Sequence, residues 1–266
     1  MIHFLTSEPL WISGFILVGL GTALSMLGPH IVRRHIALEH LTANNEIAGF
    51  KYATLGVLYA VLLAFAIIVV WQKFSDAETG VVQEAGAAAT IYRLSPGMGE
   101  KSGADLRSAV SHYLEVAIAD DWPAMDRGIT GASPTARQAL DAIYKTLLTA
   151  DTGERGSNPV MSELLHQLDL MTQARRSRLI AEEGSVPGVI WLVLFAGAIA
   201  TILFTLFFGT RNLRAQTLMT GLLAMMIFAE LFIIIALDRP FAGSVKVEPN
   251  ALREVLADFG TGSHGQ

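Results

Sequence analysis

The sequence predicts an all-α polytopic membrane protein with four transmembrane helices and a helical bundle inserted between the second and third. Three observations carry this reading. Four runs of the 266-residue chain are almost free of charge and approach or exceed the length needed to cross a bilayer. None of them alternates with period two, as a membrane barrel strand must. The stretch 73–184, between the second and third runs, holds most of the charge and carries apolar residues at helical spacing.

The first run, Leu10 to Leu27, is 18 residues without a charge. The flank Met1 to Pro9 contains no Lys or Arg, so the basic region of a signal peptide is missing and the run is read as a helix. Tyr52 to Gln72 gives 21 residues, Ser185 to Thr210 gives 26, and Ala215 to Leu237 gives 23 with a single charge at Glu230. A helix rises about 1.5 Å per residue, so about 20 apolar residues cross a hydrocarbon core of about 30 Å. A helix also satisfies its own backbone groups where no water is present. Aromatic residues stand near the ends: Trp11, Tyr52, Trp71 and Trp191. Lys51 and Lys73 flank the second run, placed to reach towards headgroups.

Between the hairpins, four amphipathic stretches are marked by Val81, Val82, Ala85, Ala88, Ala89 and Tyr92; by Leu106, Val110, Tyr113, Leu114, Ala117 and Ile118; by Leu140, Ile143, Tyr144, Leu147 and Leu148; and by Met161, Leu164, Leu165, Leu168 and Met171. Breaks fall at Ser95-Pro96-Gly97, from Trp122-Pro123 to Ser133-Pro134, and from Thr152 to Pro159. Ser102 and Ser133 are candidate N-caps. The chain thus divides into a membrane hairpin (1–72), a bundle (73–184), a second hairpin (185–237) and a tail (238–266) with one amphipathic stretch, Pro249 to Phe259.

Composition removes other classes. At 52% apolar and 16% charged, the chain cannot be disordered. Without cysteine it has neither a disulfide framework nor a cysteine-ligated metal. A net charge of −5 gives no electrostatic case for nucleic acid. Asp120, Asp121 and Asp126 lack calcium-loop spacing. His30, His35 and His40 recur every five residues, which turns a helix by about 140° and spreads them over different faces. There is no nucleophile elbow, P-loop, zinc-protease or dinucleotide motif, so no enzyme, cofactor or metal site is expected. The expected setting is the inner (plasma) membrane, crossed several times. The short loops hold Arg33, Arg34, Lys51, Arg211 and Arg214, a bias that places them in the cytoplasm and the bundle outside.

Several motifs carry a resemblance. Asn44-Asn45-Glu46-Ile47-Ala48-Gly49 is followed by the run Gly56 to Phe65 and by Trp71. Glu84-Ala85, Tyr92-Arg93, Asp121-Trp122-Pro123 and Asp238-Arg239-Pro240-Phe241-Ala242-Gly243 complete the set. Together they resemble a family of bacterial and plant membrane proteins described as bestrophin-like (DUF4239). Bestrophins are pentameric anion channels with four membrane helices and a helical domain between the second and third. The resemblance therefore implies a homo-oligomer, a pentamer if truly bestrophin-like, with the lipid bilayer and inorganic ions as its partners. It also implies a cytoplasmic bundle, opposite to the reading from loop charge.

Within that frame the second run shows two faces. Leu55, Leu58, Leu62, Phe65 and Val69 form a bulky stripe, able to gate a pore by dewetting or else to face lipid. Ala53, Gly56, Ala60 and Ala64 form a small-residue stripe, expected as a helix-packing seam. Glu230 is read as a pore residue or as a protonated group bonded between helices, with Thr201 and Thr205 as possible partners. Arg175, Arg176 and Arg178 are candidates for anions or lipid headgroups, against the blander reading of a solvated basic face. Two functions remain open: a channel, and a membrane scaffold or sensor whose bundle binds a partner.

Overall fold

A computed structural model of the chain describes residues 10–43, 45–129, 131, 133–150, 159–184 and 186–262. The N-terminal flank 1–9, Asn44 of the Asn-Asn motif, the break from Thr152 to Asn158, and Ser185 at the head of the third run lie outside the described residues. Every regular element among the described residues is helical, and four helices are long and apolar enough to cross a membrane.

The chain forms two compact units. The first comprises 1–72, 184–238 and 243–245. Its helix α1 runs as α-helix over Leu10–Gly14, as π-helix over Phe15–Leu20 and again as α-helix over Gly21–His35. It passes through Pro29 and ends at His35, about two turns beyond the end that the uncharged run suggests. Proline is tolerated there because a membrane helix loses little by surrendering one backbone bond that its surroundings can replace. The short α2 covers Leu38–Ala43. The 50-residue α3, Asn45–Leu94, supplies the second crossing and continues without interruption into the first bundle stretch.

The third crossing, α8, covers Gly188–Thr205 and is shorter than its uncharged run. Its far end is held by Asn45, whose amide donates to the Gly209 carbonyl at 2.8 Å and whose Oδ1 accepts the Gly209 N–H at 3.0 Å. The fourth crossing, α9, covers Leu213–Leu237, and Asn212 caps it by accepting the Ala215 N–H at 3.2 Å. Helix α9 packs along both α1 and α8. Asp238, just past α9, accepts the Val186 N–H at 2.9 Å.

The second unit comprises 73–183, 239–242 and 246–266. After α3, the Ser-Pro-Gly break forms a 3-10 turn, Ser95–Met98, and α4 covers Glu100–Val116. Gly99, at φ +88°, precedes α4, so Ser102 lies inside the first turn and is not its cap. A π-helix, Ala117–Asp121, leads into α5, Trp122–Asp126, so the chain stays helical past the Trp-Pro pair expected to stop it. The Trp122 N–H bonds five residues back to Ala117 O, and Pro123, which has no N–H to place, follows in the first turn of α5. Helix α6, Pro134–Thr149, is capped by Ser133, which accepts the Ala136 N–H at 3.1 Å. Then come α7, Pro159–Ala181, and α10, Asn250–Gly262.

The core of this unit follows the four stripes. Val81, Ala85, Ala88, Leu106, Val110, Tyr113, Ile143, Leu147, Leu164 and Leu168 are buried, joined by Phe241 and Leu252 of the tail. Val82, Leu148 and Leu165 are instead exposed. Each sits beside the stripe it was assigned to, one position too far round the helix.

Candidate functional site

Helix α3 presents three faces over its membrane-crossing part. Tyr59, Leu63, Ala66 and Val70 are buried within the first unit. The bulky stripe points the other way. Leu58 is 69% and Phe65 64% exposed, with Leu55 and Leu62 half-buried beside them. The small stripe does not act as a packing seam within one chain: a Cβ placed on Gly56 meets nothing within 4 Å, and Ala53, Ala60 and Ala64 are exposed. The tight approach lies elsewhere. A Cβ on Gly197 of α8 would fall 2.4 Å from Cε2 of Tyr59, whose hydroxyl donates to the Leu194 carbonyl at 2.8 Å. The glycine that α3 requires is therefore on its neighbour.

Ala53, Gly56 and Ala60 instead line a cavity of about 480 Å³, together with Tyr59, Thr201 and Glu230. Glu230 thus shares a space with the small stripe and not with Leu58 and Phe65. Of its two expected partners, Thr201 lines the same cavity. Thr205 does not: it donates to the Ile202 carbonyl at 2.6 Å and meets Thr220 at 3.5 Å.

The second unit holds a charged cluster that the sequence reading missed. Arg175 and Arg178, expected on a basic surface, are buried, and only Arg176 of the three is exposed. The Nε of Arg178 lies 2.8 Å from Glu84 Oε2, and its Nη2 lies 3.0 Å from Glu84 Oε1 and 3.2 Å from Asp121 Oδ2. Arg175 reaches the same Asp121 oxygen at 3.1 Å. Tyr113 donates its hydroxyl to Glu84, and the guanidinium carbon of Arg178 sits 4.3 Å from the Trp122 ring centroid. Two positive and two negative charges balance in a site closed to water, the condition for keeping them ionised there.

The titrations fit this arrangement. Burial alone would lower the Arg178 pKa, but Glu84, Tyr113 and Asp121 outweigh it and hold the charge above the usual arginine value. Burial, and then the Glu84 charge, push the Tyr113 phenol well up. The three nearby aspartates have separate partners: Asp121 is paired as described, Asp120 accepts from Thr135, and Asp126 pairs with Lys246 at 3.0 Å.

A signal for the cluster exists in the sequence. Met161, Leu164, Leu168 and Met171 alternate in steps of three and four, and Arg175 and Arg178 continue the same steps. They occupy the next two core positions of α7. Three of the motifs behind the resemblance meet here, those of Glu84, Asp121-Trp122 and Phe241. Glu84 and Asp121 are the carboxylates, Trp122 donates its indole N–H to Val247 O at 3.2 Å, and Phe241 meets the Trp122 ring edge-on. Tyr92 stacks on Phe259 with ring centroids 3.7 Å apart.

Glu182, just past α7, is buried, and the backbone N–H of Gly131 is the group that most opposes its burial. Burial raises its pKa. A carboxyl raised in the folded state stabilises most below its unfolded value and loses that contribution as pH climbs through the folded value. Glu182→Gln should therefore melt above the wild type at pH 7, with the gap closing as the pH drops into the ordinary carboxylate range. Differential scanning fluorimetry across pH 4 to 8 reads this directly, and a gap independent of pH would refute it.

The sequence profile of the bestrophin-like domain matches residues 18–252. No curated protein sequence matches the chain. Among solved structures, a point mutant of a bacterial bestrophin homologue from Klebsiella pneumoniae is similar with a TM-score of 0.70 at 13% identity, over 91% of this chain and 98% of that one. A second mutant of the Klebsiella homologue gives 0.70 at 14% identity, over 94% of this chain and 99% of that one. A crystal structure described as a membrane protein gives 0.70 at 16% identity, over 92% and 98%. At these identities the likeness concerns the fold. With the profile spanning most of the sequence and the same all-helical architecture, the chain belongs to the bestrophin-like family.

Proposed function

We propose that the protein is a homo-oligomeric channel for anions in the inner membrane, with α3 lining the path and Leu55, Leu58, Leu62 and Phe65 forming a hydrophobic gate. The observation that carries this is the outward bulky face of α3: large apolar side chains at helical spacing, turned away from the core of their own chain. Around a ring axis, five such faces would make a narrow apolar collar that closes by dewetting. Family membership supports the reading. No catalytic residue is required by it.

The test is chloride efflux from proteoliposomes. Wild type should release chloride when it is the only permeant anion, and exchanging the cation should leave the rate unchanged. Leu58→Ser and Phe65→Ser wet the collar and should raise efflux several-fold, whereas Val82→Ser, exposed on the bundle stretch of the same helix, should not. Light scattering of the purified chain should give five copies. No efflux from wild type would favour the scaffold or sensor reading.

A further inference from the structure

The cavity that holds Glu230 has a chemistry of its own. Its walls are apolar, built mainly from Val57, Leu63, Leu223, Met226 and Ile227. Its polar groups are the Glu230 carboxylate and the hydroxyls of Tyr52, Tyr59 and Thr201. Glu230 brings a carboxylate that bonds to no described residue. Thr201 is 3% exposed, and its hydroxyl has no hydrogen-bond partner among the described residues. A helical threonine commonly bonds back to its own helix, as Thr217 of α9 does to the Leu213 carbonyl at 2.9 Å, but Thr201 does not. The Tyr59 hydroxyl has spent its proton on Leu194 and can only accept.

A carboxylate without a hydrogen-bond partner among apolar walls complements a cation that carries its own donors. A bare metal ion would want six or more oxygens, which these residues do not supply. An alkylammonium offers three N–H donors and an apolar body for the walls. A volume of about 480 Å³ suits such a molecule. We propose that this cavity binds a primary ammonium group carried on an apolar body, with Glu230 as its counter-ion. The assignment is independent of the channel reading, because it is measured by binding and not by flux.

Two sources share this chemistry, a free amphiphilic amine and an ethanolamine lipid headgroup, and the test separates them. The full chain is placed in phosphatidylcholine nanodiscs and titrated calorimetrically with n-hexylamine, with n-hexanol as the uncharged match. In parallel, its melting midpoint is compared in discs with and without phosphatidylethanolamine. Saturable binding of hexylamine over hexanol is expected, weakened about tenfold or more by Glu230→Gln, which removes a charge-assisted contact. Thr201→Val, close in shape and removing a hydroxyl that the cavity does not expose, should keep both the fold and the affinity. Stabilisation by phosphatidylethanolamine alone, lost in Glu230→Gln, would support the site and assign it to the lipid. Equal binding of hexanol and hexylamine, affinity unchanged in Glu230→Gln, or no response to either amine source would overturn it.

Discussion

Arg178→Met should destabilise the protein by about 3–5 kcal/mol, the range seen when one partner of a buried ion pair is removed. Arg178 is fully buried and grips Glu84 through two nitrogens while touching Asp121 with one of them. Without it, among the described residues Glu84 keeps the Tyr113 hydroxyl, and Asp121 keeps Arg175 and the Ser133 N–H at 3.1 Å. An ionised carboxylate is then stranded away from water, and that stranded group, more than the lost attraction, sets the size of the effect. The double substitution Glu84→Leu with Arg178→Met should recover much of the loss, because replacing both members of a buried pair by apolar groups is often neutral. Denaturant unfolding of the purified chain, followed by far-UV circular dichroism, measures both. Equal stability of wild type and Arg178→Met would show that the pair is not formed.

Gly197→Ala is the second large effect. The added methyl would overlap the Tyr59 ring at 2.4–2.5 Å, and that ring is fixed by burial and by its bond to Leu194. Relief requires α3 and α8 to separate or the ring to leave, an overpacking cost of about 1–3 kcal/mol. Two controls sharpen the result. Tyr59→Phe keeps the ring and loses one interhelical hydrogen bond, about 0.6 kcal/mol on average in membranes. Gly56→Ala meets open space and should stay within about 0.5 kcal/mol of wild type. Equal losses at Gly56 and Gly197 would place the close approach on the wrong helix.

That contrast shows where local reasoning stops. A stripe of small residues on the second run suggests a seam, but a stripe says only that close approach is permitted there. Whether a neighbour uses it depends on which face of the helix turns inward, and here the inward face carries Tyr59 and Leu63. Glu230 illustrates the same limit. Its isolation in an apolar run marks it as unusual, but its angular position, beside the small stripe and away from Leu58 and Phe65, emerges only once α9 is set against α3. The arginines of α7 were half-legible. Their steps of three and four continue the core pattern, yet positive charge next to a membrane segment reads more naturally as surface.

By itself the sequence determined the four crossings, the helical bundle and its main apolar stripes, because hydrocarbon thickness and the 3.6-residue turn act on each segment separately. It also carried the motifs of the resemblance, scattered from Asn44 to Gly243. Only the tertiary structure decided that three of those motifs, at Glu84, Asp121-Trp122 and Phe241, meet at one buried cluster, that Gly197 and not Gly56 is the required glycine, and that Glu230 opens into a cavity beside the small stripe. The physical reason is the same in each case. A buried charge is tolerated only beside its partner, and the partner of Arg178 lies 94 residues away on another helix, where no local period can register it.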